Sequence, residues 1–238
     1  MQSLMKHLIA VGALVAALVC TSIADLVVVQ EIDQSQTGQQ MKMTMSFKGE
    51  KVRVDVGDQA SIIMDGKDSS MTNLIHAHKM YIVMSGEQVK AMVSQATAMM
   101  KAQQGEQTYE AKLEKTGQTA EINGYKTEAY TQKVPGGTCT YWIAKDYKGY
   151  ESILKQLHAM QDSALGKMVD STSGMPKMKA EDFPGMPIRT EVDTPQSGKV
   201  TMTLVSAKEE KLDDSLFKAP EGYSTMNMPD MPVAPVAP

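Results

Sequence analysis

Lys51-Val52-Arg53-Val54-Asp55-Val56 sets three valines on one face of an extended chain and three charged side chains on the other. Period-two alternation of this kind marks a half-buried antiparallel strand. Working outward, Met41-Lys42-Met43-Thr44-Met45-Ser46-Phe47 repeats the pattern with methionine, and Thr201–Val205 and Tyr109–Glu114 repeat it again. Further strands are expected at Leu26–Ile32, Ser61–Met64, Met71–Ile75, Met80–Met84, Glu121–Ile122, Tyr125–Val134, Thr138–Ala144 and Ile188–Val192.

The links between these runs are hairpin dipeptides. Asp65-Gly66 and Asn123-Gly124 tolerate positive φ at both central positions of a tight turn, and Lys48-Gly49 and Pro135-Gly136-Gly137 close two more pairs. About ten short strands joined in this way make one large antiparallel sheet that curls toward a barrel. Two segments change period. Gln88–Gln104 carries Val89, Met92, Val93, Ala96 and Met100 at helical spacing. Asp146–Val169 carries Tyr150, Ile153, Leu154, Leu157 and Met160, with Asp146 placed as N-cap. The expected fold is therefore α+β: a curved antiparallel half-barrel of about ten strands, with two main helices on its concave face.

The start of the chain reads as an export signal. Lys6 and His7 precede an unbroken apolar run, Leu8–Cys20, and Ser22-Ile23-Ala24 offers small residues for cleavage between Ala24 and Asp25. The run is shorter than the ~20 residues a membrane anchor needs. A lipid anchor at Cys20 would want a small residue before the cysteine, and Val19 is not small, so ordinary cleavage is the reading taken. The expected organisation is signal 1–24, one domain 25–225, and a Met/Pro-rich disordered tail 226–238. A Pro/Gly/Ser-rich loop, Ser171–Pro187, interrupts the domain.

Composition narrows the function class. The formal net charge of −4 and the absence of a basic run argue against nucleic acid and against an anionic membrane surface. Loss of Cys20 with the signal leaves Cys139 alone, so no internal disulfide staples the fold. The chain has 21 methionines but three phenylalanines and one tryptophan. Flexible thioethers fill irregular space, which suits an adaptable apolar surface; a lineage that uses Met in place of Leu gives the same count.

No motif rises to a reaction mechanism, and no enzyme or cofactor is expected. Ser152-Ile153-Leu154-Lys155 and Lys115-Thr116-Gly117 match fragments of serine–lysine acyl-transfer machinery, but in the wrong order and without a third element. His76-Ala77-His78 sits where a polar turn is needed and lacks further ligands at zinc spacing. Met41-x-Met43-x-Met45 and Met226-x-Met228-x-x-Met231 resemble thioether clusters for Cu(I), although alternation equally well places the first set in a core.

Three stretches together resemble the secreted bacterial family catalogued as domain of unknown function 4412. They are Phe47–Asp55 followed by Ile62–Gly66 and His78–Val83; Ile122–Thr127 leading into Tyr141–Ala144; and Phe183–Ile188 through Leu216–Tyr223. That family in turn resembles the LolA/LolB-like lipoprotein carriers, in which a curved sheet wraps helices around acyl chains. The resemblance implies an envelope protein with a lipid or lipoprotein as its partner. Arg53 and Arg189 are the only arginines, and neither can be matched to an acyl-gating one. The expected lining of an apolar cavity is Met92, Val93, Ala96, Leu154 and Leu157. The competing readings are an assembly protein with a filled core, and Met-based copper binding.

Overall fold

The computed structural model describes residues 25–104, 112–134, 137–161, 179–194 and 198–226. The expected signal, with Cys20 and Ala24, lies outside the described residues, as do 162–178 and the tail from 227.

The described strands form one open sheet. They are β1 (Leu26–Gln34), β2 (Gln39–Lys48), β3 (Lys51–Val56), β4 (Ala60–Asp65), β5 (Ser70–Ile75), β6 (Met80–Met84), β7 (Glu114–Ile122), β8 (Tyr125–Val134), β9 (Gly137–Ala144), β10 (Met186–Thr194), β11 (Gly198–Glu209) and β12 (Ser224–Thr225). Their order is β12-β6-β5-β4-β3-β2-β1-β11-β10-β9-β8-β7. Every pairing is antiparallel except that of β12, which runs parallel to β6. The sheet thus has twelve strands, where about ten were expected. Helix α1 (Gly86–Gln104) follows β6, and α2 (Tyr150–Gln161) lies between β9 and β10.

Local chemistry explains the turns and the departures. Asn123 and Gly124 have φ of 52° and 79° and join Ile122 to its partner Tyr125, the tight hairpin this dipeptide favours. Asp65-Gly66 does not do this. Asp65 pairs with Ser70, so four residues form the loop, and Asp65 Oδ1 accepts the Lys67 N–H at 3.0 Å. The strand expected at Glu121–Ile122 is the end of the longer β7, whose register shifts between Lys115 and Thr119; of the one expected at Tyr109–Glu114, residues 109–111 lie outside the described residues. Asp146 is not the N-cap of α2. Gly149, at φ 76°, breaks the chain just before Tyr150, so no helix can run through from Asp146.

Three apolar clusters hold the sheet. The central one joins Leu26 and Val28 of β1, Leu204 of β11, Met186 and Ile188 of β10, Ala144 of β9 and Ile122 of β7 to Ile153 and Leu154 of α2. The register of β10 against β9 shifts between Pro187 and Arg189, and Met186 and Ile188, two residues apart on one face, both reach this cluster. Asn123 Nδ2 donates to the Leu204 carbonyl at 2.9 Å and ties the β7–β8 hairpin to β11. A second cluster (Tyr130, Val134, Cys139, Tyr141, Ile143) lies among β8 and β9. The third places Leu212 and Phe217 of the C-terminal segment on Ile63 and Leu74.

Candidate functional site

The ladder registers of β1 to β6 line up side chains in rows across six strands. One row is Leu26, Phe47, Val52, Met64, Met71 and Met84. The next is Val28, Met45, Val54, Ile62, Asn73 and Ile82, and a third is Gln30, Met43, Val56, Ala60, Ile75 and Met80. Gln30 and Asn73 alone interrupt this apolar wall. Leu26, Val28, Val52 and Met84 are buried, and the other members are half-buried, still within reach of solvent. A contiguous apolar surface of this extent, left only partly covered, is unusual for a filled core. Its β1–β2 end joins the central cluster, against which Met45 and Phe47 pack.

The five helical residues expected to line a cavity fall into two groups. α2 packs on β10, and there Leu154 is buried and Leu157 half-buried against the central cluster. α1 instead meets β5 and β6, toward the other margin of the sheet. On α1, among the described side chains, Val89 is fully buried, Val93 is half-buried and Met92 is 43% exposed. The buried stripe runs through i and i+4, and Met92 at i+3 falls outside it. The side chain of Ala96 lies outside the described residues.

The opposite face of the same strands carries the third apolar cluster and, beside it, a polar network that is not left to water. Arg53, expected on a solvent face, has a side chain only 12% exposed. Its Nε donates to Asp55 Oδ1 at 2.8 Å, its Nη1 to the Leu216 carbonyl at 2.9 Å and its Nη2 to Ser61 Oγ at 3.0 Å. Ser61 Oγ, fully buried, also donates to Asp55 Oδ1 and lies 2.7 Å from His76 Nε2, while His76 Nδ1 lies 2.6 Å from the Tyr223 hydroxyl. Serine, histidine and aspartate meet here without forming a nucleophilic triad. The carboxylate holds the serine, a tyrosine occupies the other histidine nitrogen, and the hydroxyl has no access to solvent. The network instead fastens the C-terminal segment across β3–β5. The 3₁₀ turn at His76–His78 supplies the polar connection expected between β5 and β6, and His76 adds an anchoring role that spacing alone did not signal.

The remaining motif residues are occupied elsewhere. Ser152 Oγ donates to Glu209 Oε1 at 2.8 Å, and Lys115 pairs with Glu128 at 3.0 Å, so the two acyl-transfer fragments do not meet. Glu128 also pairs with Lys145 at 2.7 Å and accepts the Tyr130 hydroxyl at 3.0 Å. The Lys145, Lys115 and Tyr130 hydrogen bonds, in that order, hold its carboxyl down at about 2. This group edges a cleft of about 540 Å³ lined by Thr119, Ala120, Thr127 and Ile143. A second cleft, of about 580 Å³, opens beside Lys42, Asp58 and His76. None of Met92, Val93, Leu154 or Leu157 lines either one. Arg189 lies across the ladder from Trp142 and donates from Nε to Thr203 Oγ1 at 3.2 Å. Among the described residues no group of three or more His, Cys, Asp or Glu side chains is placed to hold a metal. No helix there is long and apolar enough to cross a membrane.

Comparison with known families places residues 29–223 in a single match, the model described as a domain of unknown function, DUF4412. The chain belongs to the DUF4412 family. No curated protein matches the sequence. Among solved structures, PNGF-II aligns with TM-score 0.36 and 13% identity over 85% of this chain, and the chain spans only 30% of that protein. A Vibrio parahaemolyticus domain whose name ties it to outer membrane lipoprotein sorting aligns with TM-score 0.34 and 11% identity, over 83% of this chain and 90% of that one. The LolA superfamily protein NE2245 from Nitrosomonas europaea gives 0.30 and 10%, over 82% and 89%.

Proposed function

We propose that this DUF4412 protein is an exported, non-enzymatic component of the cell envelope that holds a lipid, a lipidated chain or another apolar ligand against the β1–β6 wall. The observation that carries this reading is the wall itself: three rows of apolar side chains across six strands, most of them only half covered. Export follows from the signal at 1–24, cleaved between Ala24 and Asp25, and the carrier-like order of sequence stretches supports the ligand class. In this reading the sheet is a trough with the helices over its hollow side. α2 roofs the β1 end through Leu154 and Leu157, and α1, with Met92, Val93 and Ala96, the β6 end. Binding is driven by removal of apolar surface from water, at ~25 cal/mol per Å². Met43, Met45, Met64, Met71, Met80 and Met84 let one wall accept chains of different shape.

Melting the purified mature chain with and without envelope phospholipid tests this. Ligand at about a hundredfold its Kd adds ~2.7 kcal/mol to stability. For a domain of this size that is a rise of roughly 5–10 °C. An unchanged melting temperature across the whole envelope lipid extract refutes the reading.

A further inference from the structure

The ladder brings together three methionines that no spacing in the sequence links. Met64 of β4 pairs across with Met71 of β5, and Met71 with Met84 of β6. One thioether thus stands on each of three adjacent strands, all on the wall face. Strand spacing of ~4.8 Å puts the outer two β-carbons about 10 Å apart, with the third between them. Methionine carries its sulfur two rotatable bonds beyond Cβ, so the outer sulfurs have the reach to lean inward and meet the middle one. The other wall methionines lack such neighbours. Met43 faces Gln30 and Val56, Met45 faces Val28 and Val54, and Met80 faces Ile75. Met41, Met43 and Met45 follow one another along β2, where a rise of ~3.4 Å per residue spreads them over roughly 14 Å.

The Met64–Met71–Met84 row lies at one end of its strands. Asp65 and Ser70, next to it, bound the β4–β5 loop, and Met84 ends β6. That end is firmly built. Gly66 N–H donates to the Glu50 carbonyl at 2.8 Å, which ties the loop to the β2–β3 turn. A Cβ on Gly86, the first residue of α1, would collide with the Asp68 carbonyl oxygen, so the helix start is set hard against the same loop. None of the three methionines belongs to the three apolar clusters of the described residues. Met84 is buried, while Met64 and Met71 keep the access to solvent that an entering ion needs.

We propose that Met64, Met71 and Met84 bind one Cu(I) ion through their three sulfurs. Thioethers are soft, uncharged donors that select Cu(I), whereas Zn²⁺ wants thiolate, imidazole or carboxylate, and Mg²⁺ and Ca²⁺ want oxygen. Three donors on three paired strands need only side-chain rotation to close around the ion, since the backbone that carries them is already fixed. The site does not rest on the lipid reading, and either can fail without the other.

Ag(I), a redox-inert ion of similar softness, is titrated into the mature protein labelled with ¹³C at the methionine methyls. Cu(I) affinity is measured anaerobically by competition with bathocuproine disulfonate. One equivalent of Ag(I) is expected to shift three methyl signals, those assigned by their loss in M64L, M71L and M84L, and Zn(II) to shift none of them. Leucine conserves volume, so these variants should fold. Each is expected to weaken Cu(I) at least tenfold, while M226L/M228L/M231L leaves its affinity unchanged. X-ray absorption of the wild-type Cu(I) complex should read a shell of three sulfurs without nitrogen or oxygen. Shifts confined to other methionines, or no shift at all, overturn the assignment, as does full Cu(I) affinity in M64L/M71L/M84L. Any shell other than three sulfurs overturns it too, and that measurement needs only the wild-type protein.

Discussion

Phe217→Ala asks whether the C-terminal segment is part of the fold. Phe217 is 7% exposed and packs on Ile63, Leu74 and Leu212. The backbone around it is pinned independently of the ring. Asp213 Oδ1 accepts the Ser215 N–H at 2.8 Å, Lys48 Nζ donates to the Leu212 carbonyl at 2.7 Å, and Arg53 holds the Leu216 carbonyl. A pinned backbone cannot sink into the space a truncated side chain leaves, so the cavity term is largely retained. Buried Phe→Ala changes cost ~3–5 kcal/mol. One wall of this site is close to solvent, which points to the lower end, about 3 kcal/mol, or a fall in Tm of roughly 6–12 °C. Urea unfolding of wild type, F217A and F217L measures it; the leucine variant should lose less than about 1.5 kcal/mol because most of the volume stays filled. A loss below about 1 kcal/mol for F217A, with no new protease cut after Leu212, refutes the clamp.

Two further outcomes are expected. Glu128 has its carboxyl lowered from 4.5 to about 2 by Lys145, Lys115 and Tyr130, so its contribution is present above pH 4.5 and lost as pH falls through about 2. The stability gap between wild type and E128Q should therefore be flat above pH 4.5 and close below it, and a gap that widens on acidification contradicts the assignment. Burial pushes the Cys139 thiol up to about 11, so a thiolate-selective reagent at pH 8 should label the mature protein only as it unfolds; fast labelling of folded protein would be inconsistent with the packing.

Strict alternation made the wall legible. Lys51–Val56 and Met80–Met84 are strands with the expected bounds, and the cross-strand rows follow from them. The same alternation misled about the other face. Arg53 and Asp55 read as solvated charges, but Leu212–Tyr223 folds back over them, and no local pattern announces a cover more than 150 residues away. A cue does lie in the sequence: Arg53, Asp55, Ser61 and His76 fall on or beside adjacent strands, and bonding groups gathered on one face favour a partner. Met92 and Val93 are equally placed by spacing, since i+3 and i+4 stripes both fit, and contact with β5 and β6 favours the stripe through Val89 and Val93, leaving Met92 43% exposed. Asp146 had the right side chain for a cap, but the left-handed Gly149 moved the helix start past it.

The short parallel strand β12 covers part of one margin of the sheet. Ser224 N–H donates to the Lys79 carbonyl at 2.9 Å and Met226 N–H to that of Tyr81 at 2.7 Å, so the free margin of β6 is taken at Met80 and Tyr81. At the opposite margin β7 offers its backbone amid Glu114, Lys115 and Glu121, a fringe of charge that discourages templating. Neither described margin of the sheet is thus a ready template for a further strand, and a concentrated solution should not scatter light as a lengthening fibre.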